Sequence, residues 1–256
     1  MNLSISLRSE IAKTKRTAAF YFTLIGAAII PFIFLVNALF NGFAGEDNIP
    51  KDPLKKMFSM SMEMTGLLIF PLFVVLVCTL MPQIEYRNNT WKQVLSSPQT
   101  KLNIFVAKFL SVQSLMLLFL VSSHLFMWIA IIAIHFIEPG LHMFSRSLDG
   151  YTILVNNVNL YLCVLAISAI QFWIGLRFKN FLVPVSIGFV LWITGMTMVF
   201  EYHSPYAVYF PYSFQTFTFF PKEKTQLGQV EWTSFGYAVL FLVAGFLDFR
   251  RRRMGE

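Results

Sequence analysis

Residues 18–40 read AAFYFTLIGAAIIPFIFLVNALF, without one Asp, Glu, Lys or Arg. About 18 or more such residues in a row are enough to cross a bilayer as a helix. Working outward, Met64–Ile84, Ile104–Phe136, Leu160–Leu176, Phe181–Phe200 and Phe235–Phe249 also almost lack charge. The expected fold is therefore all-α: a polytopic helical membrane protein with six transmembrane helices. The spans are expected at about 18–40, 62–84, 104–136, 153–176, 181–200 and 233–249, within a single membrane domain over 1–256.

Composition agrees. Hydrophobic residues make up 56% and charged residues 13% of the 256, and mean hydropathy is +0.63. Soluble domains carry roughly 25% charged residues. Six spans of about 20 residues leave no room for a soluble catalytic domain. The first apolar block is too long for the core of a cleaved leader, so it is expected to remain as span one. Cys78 and Cys163 fall inside spans and read as buried, inert thiols.

The net charge of +7 suggests nucleic acid until its distribution is read. With the N-terminus placed in the cytoplasm, inside segments hold Arg8, Lys13, Lys15, Arg16, Arg87, Lys92, Lys101, Lys108, Arg177, Lys179 and Arg250–Arg253. Outside segments hold only Lys51, Lys55, Lys56, Arg146, Lys222 and Lys224. This bias follows the positive-inside rule, predicts that both termini are cytoplasmic, and removes the nucleic-acid reading.

Local patterns refine the outline. Leu3, Leu7 and Ile11 recur every four residues among basic neighbours, which predicts an interfacial amphipathic helix over 3–16. Lys108, near the cytoplasmic end of span three, is expected to snorkel. Residues 98–136 as one helix would be near 58 Å long, so span three must tilt, project or break, with Ser122–Ser123–His124 as the break point. Ser168, Gln171 and Gly175 share one side of span four and suit close packing with an interhelical hydrogen bond. The segment 201–221 carries Tyr202, Tyr206, Tyr209, Phe210, Tyr212, Phe214 and Phe217 between prolines. It is too interrupted to span and too aromatic for a solvated loop, so it reads as an interfacial or re-entrant hairpin on the outer face. It is either an outer gate for an amphipathic substrate or a cap that only packs.

Chemical motifs are few. HExxH, GxSxG and CxxC are missing, no two carboxylates share a span, and His124 and His135 sit too far apart on one helix to share a metal. No catalytic or metal site is expected. Midplane polar candidates reduce to Asn37, Gln171 and the span-three histidines. A self-sufficient carrier or channel would have to use these and usually needs more ionisable residues there. No GxxxxGK[ST] loop occurs, so any ATP must be hydrolysed by a separate chain. The loop EYRNNTWKQVLSSPQTK, Glu85–Lys101, is the most organised polar segment. Thr90 to Gln93 fits a capping box, and Ser97–Pro98 a helix cap and first turn. Between them Trp91, Val94 and Leu95 form an apolar face, flanked by Arg87 and Lys92. That face reads as a tryptophan-led patch shown to a cytoplasmic protein partner, the alternative being an interface anchor.

These pieces resemble the membrane permease subunits of ABC exporters of the ABC-2 class, over nearly the full length. The most specific stretch is EYRNNTWKQVLSSPQTKLNIFVAK, where Glu85, Trp91, Leu95, Pro98 and Lys108 match the family's acid, bulky apolar residue, proline and lysine. Within the class the chain looks most like the lantibiotic and bacitracin export or immunity type. The resemblance implies a bacterial inner-membrane protein. Two permease subunits, the same or similar chains, would pair with two ABC ATPase subunits that carry ATP and Mg. A coupling helix at Glu85, Arg87, Trp91, Lys92, Val94, Leu95 and Pro98 would seat on the ATPase. Spans one, two and five would line the path, with Asn37, Gln171, Tyr206, Tyr209, Phe210 and Tyr212 as path or outer-gate candidates. Family substrates include peptides, drugs, lipids and glycans.

Overall fold

A computed structural model describes residues 3–15, 17–41, 52–88, 90–91, 93, 99–144, 147–220 and 224–251. A short helix, α1 (Leu3–Thr14), precedes six long ones: α2 (Ala18–Asn41), α3 (Pro53–Arg87), α4 (Lys101–Ile137), α5 (Gly150–Arg177), α6 (Leu182–Phe200) and α7 (Leu227–Arg251). Each of the six is long and apolar enough to cross a membrane, and no strand occurs among the described residues. The chain is an all-α, multi-pass membrane protein.

The observed spans are longer than the apolar runs. α3 begins at Pro53, about nine residues before the expected span, because Asp52 caps it by accepting from the Lys55 amide. Lys55 and Lys56 interrupt the apolar run but share an exposed side, while Leu54, Met57 and Phe58 are buried. Thr65–Ile69 forms a π-helical turn inside α3. α4 runs unbroken for 37 residues, about 55 Å at 1.5 Å per residue, so the expected break at Ser122–His124 does not occur. Ser123 instead bonds its hydroxyl back to the Leu120 carbonyl, 2.8 Å away, leaving the helix continuous. Its N-cap is Thr100, which accepts from the Asn103 amide. The proposed cap and first turn at Ser97–Pro98 lie outside the described residues.

Packing depends on small residues and stacked rings. A Cβ on Gly175 would come within 2.7 Å of the Cys78 carbonyl oxygen, so α5 and α3 meet backbone to backbone. The expected interhelical bonds are present: the Cys78 thiol donates to the Ser168 carbonyl, and the Gln113 amide donates to the Ser168 hydroxyl. Phe73 stacks on Phe119 at 4.5 Å between centroids, joining α3 to α4. Outward faces remain apolar; Ile25, Phe32 and Val190 are all exposed, as helices bathed in lipid require.

α1 and the C-terminal end of α7 lie at one end of the bundle, where the Lys101 ammonium donates to the Arg250 carbonyl. This is the basic end. At the opposite, aromatic end, two short 3-10 helices, Pro205–Tyr209 and Pro211–Thr218, fold back inward. Residues 211–218 are all buried, seated among α5, α6 and α7. The segment is re-entrant.

Candidate functional site

A lone lysine in an apolar helix must find counter-charges or reach water, because an unpaired buried ion costs several kcal/mol. Lys108 does the former. It is 1% exposed and does not snorkel. Its ammonium donates to Glu10 Oε2 on α1 at 2.8 Å and to Glu85 Oε1 at the end of α3. Lys13 closes the cluster at 2.6 Å from Glu10 and 3.6 Å from Glu85. Two carboxylates and two ammonium groups thus balance in charge and join three chain segments.

The face α1 presents to the bundle is polar. Ser6, Glu10 and Thr14 are buried at a four-residue step, whereas Leu3 and Ile5 are exposed. Leu7 and Ile11 are half-buried beside that face, and the docking side of the helix is set by the ion pairs. Burial alone would raise the Glu10 carboxyl, but the charge and hydrogen bond of Lys108, aided by Lys13, hold it below the ordinary value. Burial alone would lower the Lys13 ammonium, and Glu10 and Glu85 hold it above.

Trp91 sits directly against this cluster. The Lys108 ammonium lies 5.6 Å from its ring centroid, close enough for a cation–π contact. Its other neighbours are Tyr86 at 5.4 Å and Phe249 of α7 at 5.9 Å. At 5% exposure, Trp91 does not lead an outward face as the sequence suggested. An indole gains more from a core of rings and an ammonium than from water. It pins the loop from inside, while Arg87 and Gln93 are exposed. Lys92, Val94, Leu95 and Pro98 lie outside the described residues. Beside the cluster opens a cleft of about 200 Å³ lined by Ser6, Ser9, Glu10, Lys13, Gln93, Gln99 and Ile104. Ser6 Oγ, Glu85 Oε2 and Trp91 Nε1 are buried without a hydrogen-bond partner among the described residues.

The path and gate candidates divide. Gln171 and Tyr212 come together: the Tyr212 hydroxyl donates to Gln171 Oε1 at 3.0 Å, and Gln171 Nε2 donates to the Pro184 carbonyl at 2.5 Å. Both side chains are buried, which ties the re-entrant segment to α5 and α6. Tyr206 and Tyr209 are exposed at the aromatic end, Phe210 is half-buried, and Asn37 is exposed on α2. Sequence reasoning missed Glu10 and Lys13. The Ser6–Glu10–Thr14 step was the available signal. It also missed the Tyr161 hydroxyl donating to Gln113 Oε1. Among the described residues no three His, Cys, Asp or Glu side chains could hold a metal ion.

A family model described as "ABC-2 family transporter protein" matches residues 6–195, which takes in α1, the ion cluster and five of the six spans. The chain belongs to the ABC-2 transporter family. It is the membrane permease component of an ABC transporter, and the family implies association with an ABC ATPase. The matched stretch of this ABC-2 permease begins at Ser6, the first buried residue of α1. No curated protein matched the chain.

Proposed function

We propose that this permease is the membrane half of an ATP-driven exporter of the bacterial inner membrane, with both termini cytoplasmic. Two such subunits, identical or similar, pair with two ATPase subunits, and the substrate is amphipathic. ATP and Mg reside on the partner. The ATPases seat on the 85–100 loop at the basic end, with Arg87, Lys92, Val94, Leu95 and Pro98 forming the contact. The observation that carries this reading is the fastening of that loop. Glu85 and Trp91 anchor it through Lys108 to α4 and α1, and through Phe249 to α7. A push on the loop is therefore delivered to several helices at once. The Tyr212–Gln171 pair would hold the re-entrant segment closed, with Tyr206, Tyr209 and Phe210 at the outer mouth and Asn37 at the outer end of α2.

The test is purification of the tagged protein from its native membrane in mild detergent. A stoichiometric ATPase should accompany the wild type and be lost from Leu95→Asp, with the permease still folded. Leu95→Asp is preferred to Trp91→Ala, because removing a buried ring costs about 3–5 kcal/mol in the core. A permease that purifies without an ATPase would favour a self-sufficient carrier. An undiminished ATPase on Leu95→Asp would remove the loop as the seat.

A further inference from the structure

Towards the aromatic end, α3, α4 and α5 line a half-open niche that the ATPase reading does not use. It is lined by Ser61, Met62, Thr65, Leu120, Ser123, His124, Asn157 and Leu160 and has a volume of about 10 Å³. One water needs on the order of 10–15 Å³ and two to four polar partners. Five of the eight lining side chains are polar, in a region whose other packing is hydrocarbon. We propose that this niche is a binding site for a single water molecule that joins α3 to α4 and α5.

Hydrogen-bond bookkeeping supports the proposal. Asn157 Nδ2 donates to the Ile153 carbonyl at 2.7 Å, which turns its Oδ1 towards His124 Nε2, 3.0 Å away. With the Asn157 oxygen opposite, Nε2 is the donor of that pair. Asn157 Oδ1 and the Ser123 hydroxyl oxygen keep spare lone pairs, and Ser61 and Thr65 each bring a hydroxyl. Phe58 stacks over the imidazole with centroids 6.2 Å apart, so the ring cannot swing freely away.

The position gives the water a task. Thr65 opens the π-turn of α3. Such a turn shifts the backbone register and needs outside partners, for which membrane helices use neighbours, Ser/Thr side chains or water. In the middle of the turn, Trp192 Nε1 of α6 donates to the Leu67 carbonyl at 3.3 Å. The water would serve the Ser61–Thr65 flank, so that the outer piece of α3 is held from both sides where its helix changes pitch.

Radiolytic hydroxyl labelling of the full chain in nanodiscs tests this, because bound water activates labelling of the side chain next to it. Met62, in the niche, should oxidise several-fold faster than Met127, which is buried against apolar neighbours. In Ser61→Ala/Thr65→Val, which removes both hydroxyls with little change of shape, Met62 should fall to the rate of Met127. Equal protection of Met62 and Met127 in the wild type would overturn the proposal. So would a Met62 rate unchanged in the double variant, since exposure from the lipid side would then explain it. If the double variant does not fold, Ser61→Ala and Thr65→Val singly make the same comparison.

Discussion

At the basic end, α1 and the 85–100 loop are fastened to α4 by four charged groups, two of them, Lys108 and Glu85, almost wholly out of water. At the aromatic end, residues 205–218 are fastened by neutral contacts: the Tyr212 hydroxyl on Gln171, close approach to Gly195, and rings such as Phe214 against Tyr237. Charges out of water tolerate only their partners, and removing one leaves the others stranded. Neutral contacts lose modest amounts one at a time. The basic end should therefore fail as a unit and the aromatic end by degrees.

Lys108→Met should have the largest effect. It leaves two carboxylates to share the single Lys13 ammonium and should cost about 3–5 kcal/mol, read as a lower Tm in detergent. Adding Glu10→Gln and Glu85→Gln should recover most of the loss, because every buried member of the cluster is then neutral and the partly exposed Lys13 ammonium can turn to water. No recovery would mean that Lys108 acts through packing.

Tyr212→Phe should cost less, about 1–3 kcal/mol, by leaving Gln171 Oε1 buried without its donor. The damage should stay at the aromatic end: cysteines placed in 211–218 should become more accessible while the α1 contacts are unchanged. Exposure at both ends would erase the contrast between them.

The smallest effect concerns pH. The Glu10 carboxyl is held low, so its contribution to docking is complete above its ordinary value near 4.5 and is lost as pH falls through the lower docked value. The Lys13 ammonium is held high, so its contribution is complete below 10.5 and is lost as pH rises through the higher docked value. α1 should stay docked across the whole interval between. Release near pH 6, seen as mobility of a spin label at Ser4, would show that another group controls it.

The six spans were legible because lipid demands long apolar runs, and the Gly175 contact because small residues mark close helices. What hid was pairing between distant segments. The sequence shows Glu85 and Lys108 as lone charges at block ends but not that Lys108 joins Glu85 to Glu10. The Trp91 stripe has the right period for a helix face, yet periodicity does not say which way a face turns. Here the neighbouring ammonium and Phe249 turn Trp91 itself inward. The start of α3 was missed because Lys55 and Lys56 break an apolar run without breaking the helix. The re-entrant segment was recognised from its rings and prolines, but its depth depends on the Tyr212–Gln171 bond, which joins residues 41 positions apart.

The most direct measurement is the distance distribution between spin labels on α1 and the loop, at Ser4 and Gln93, both exposed, in the full chain in nanodiscs. The wild type should give one narrow distance, and Lys108→Met a broad distribution that narrows again when Glu10→Gln and Glu85→Gln are added. An equally narrow distribution in wild type and Lys108→Met would contradict the claim that the ion cluster makes α1 and the loop one body.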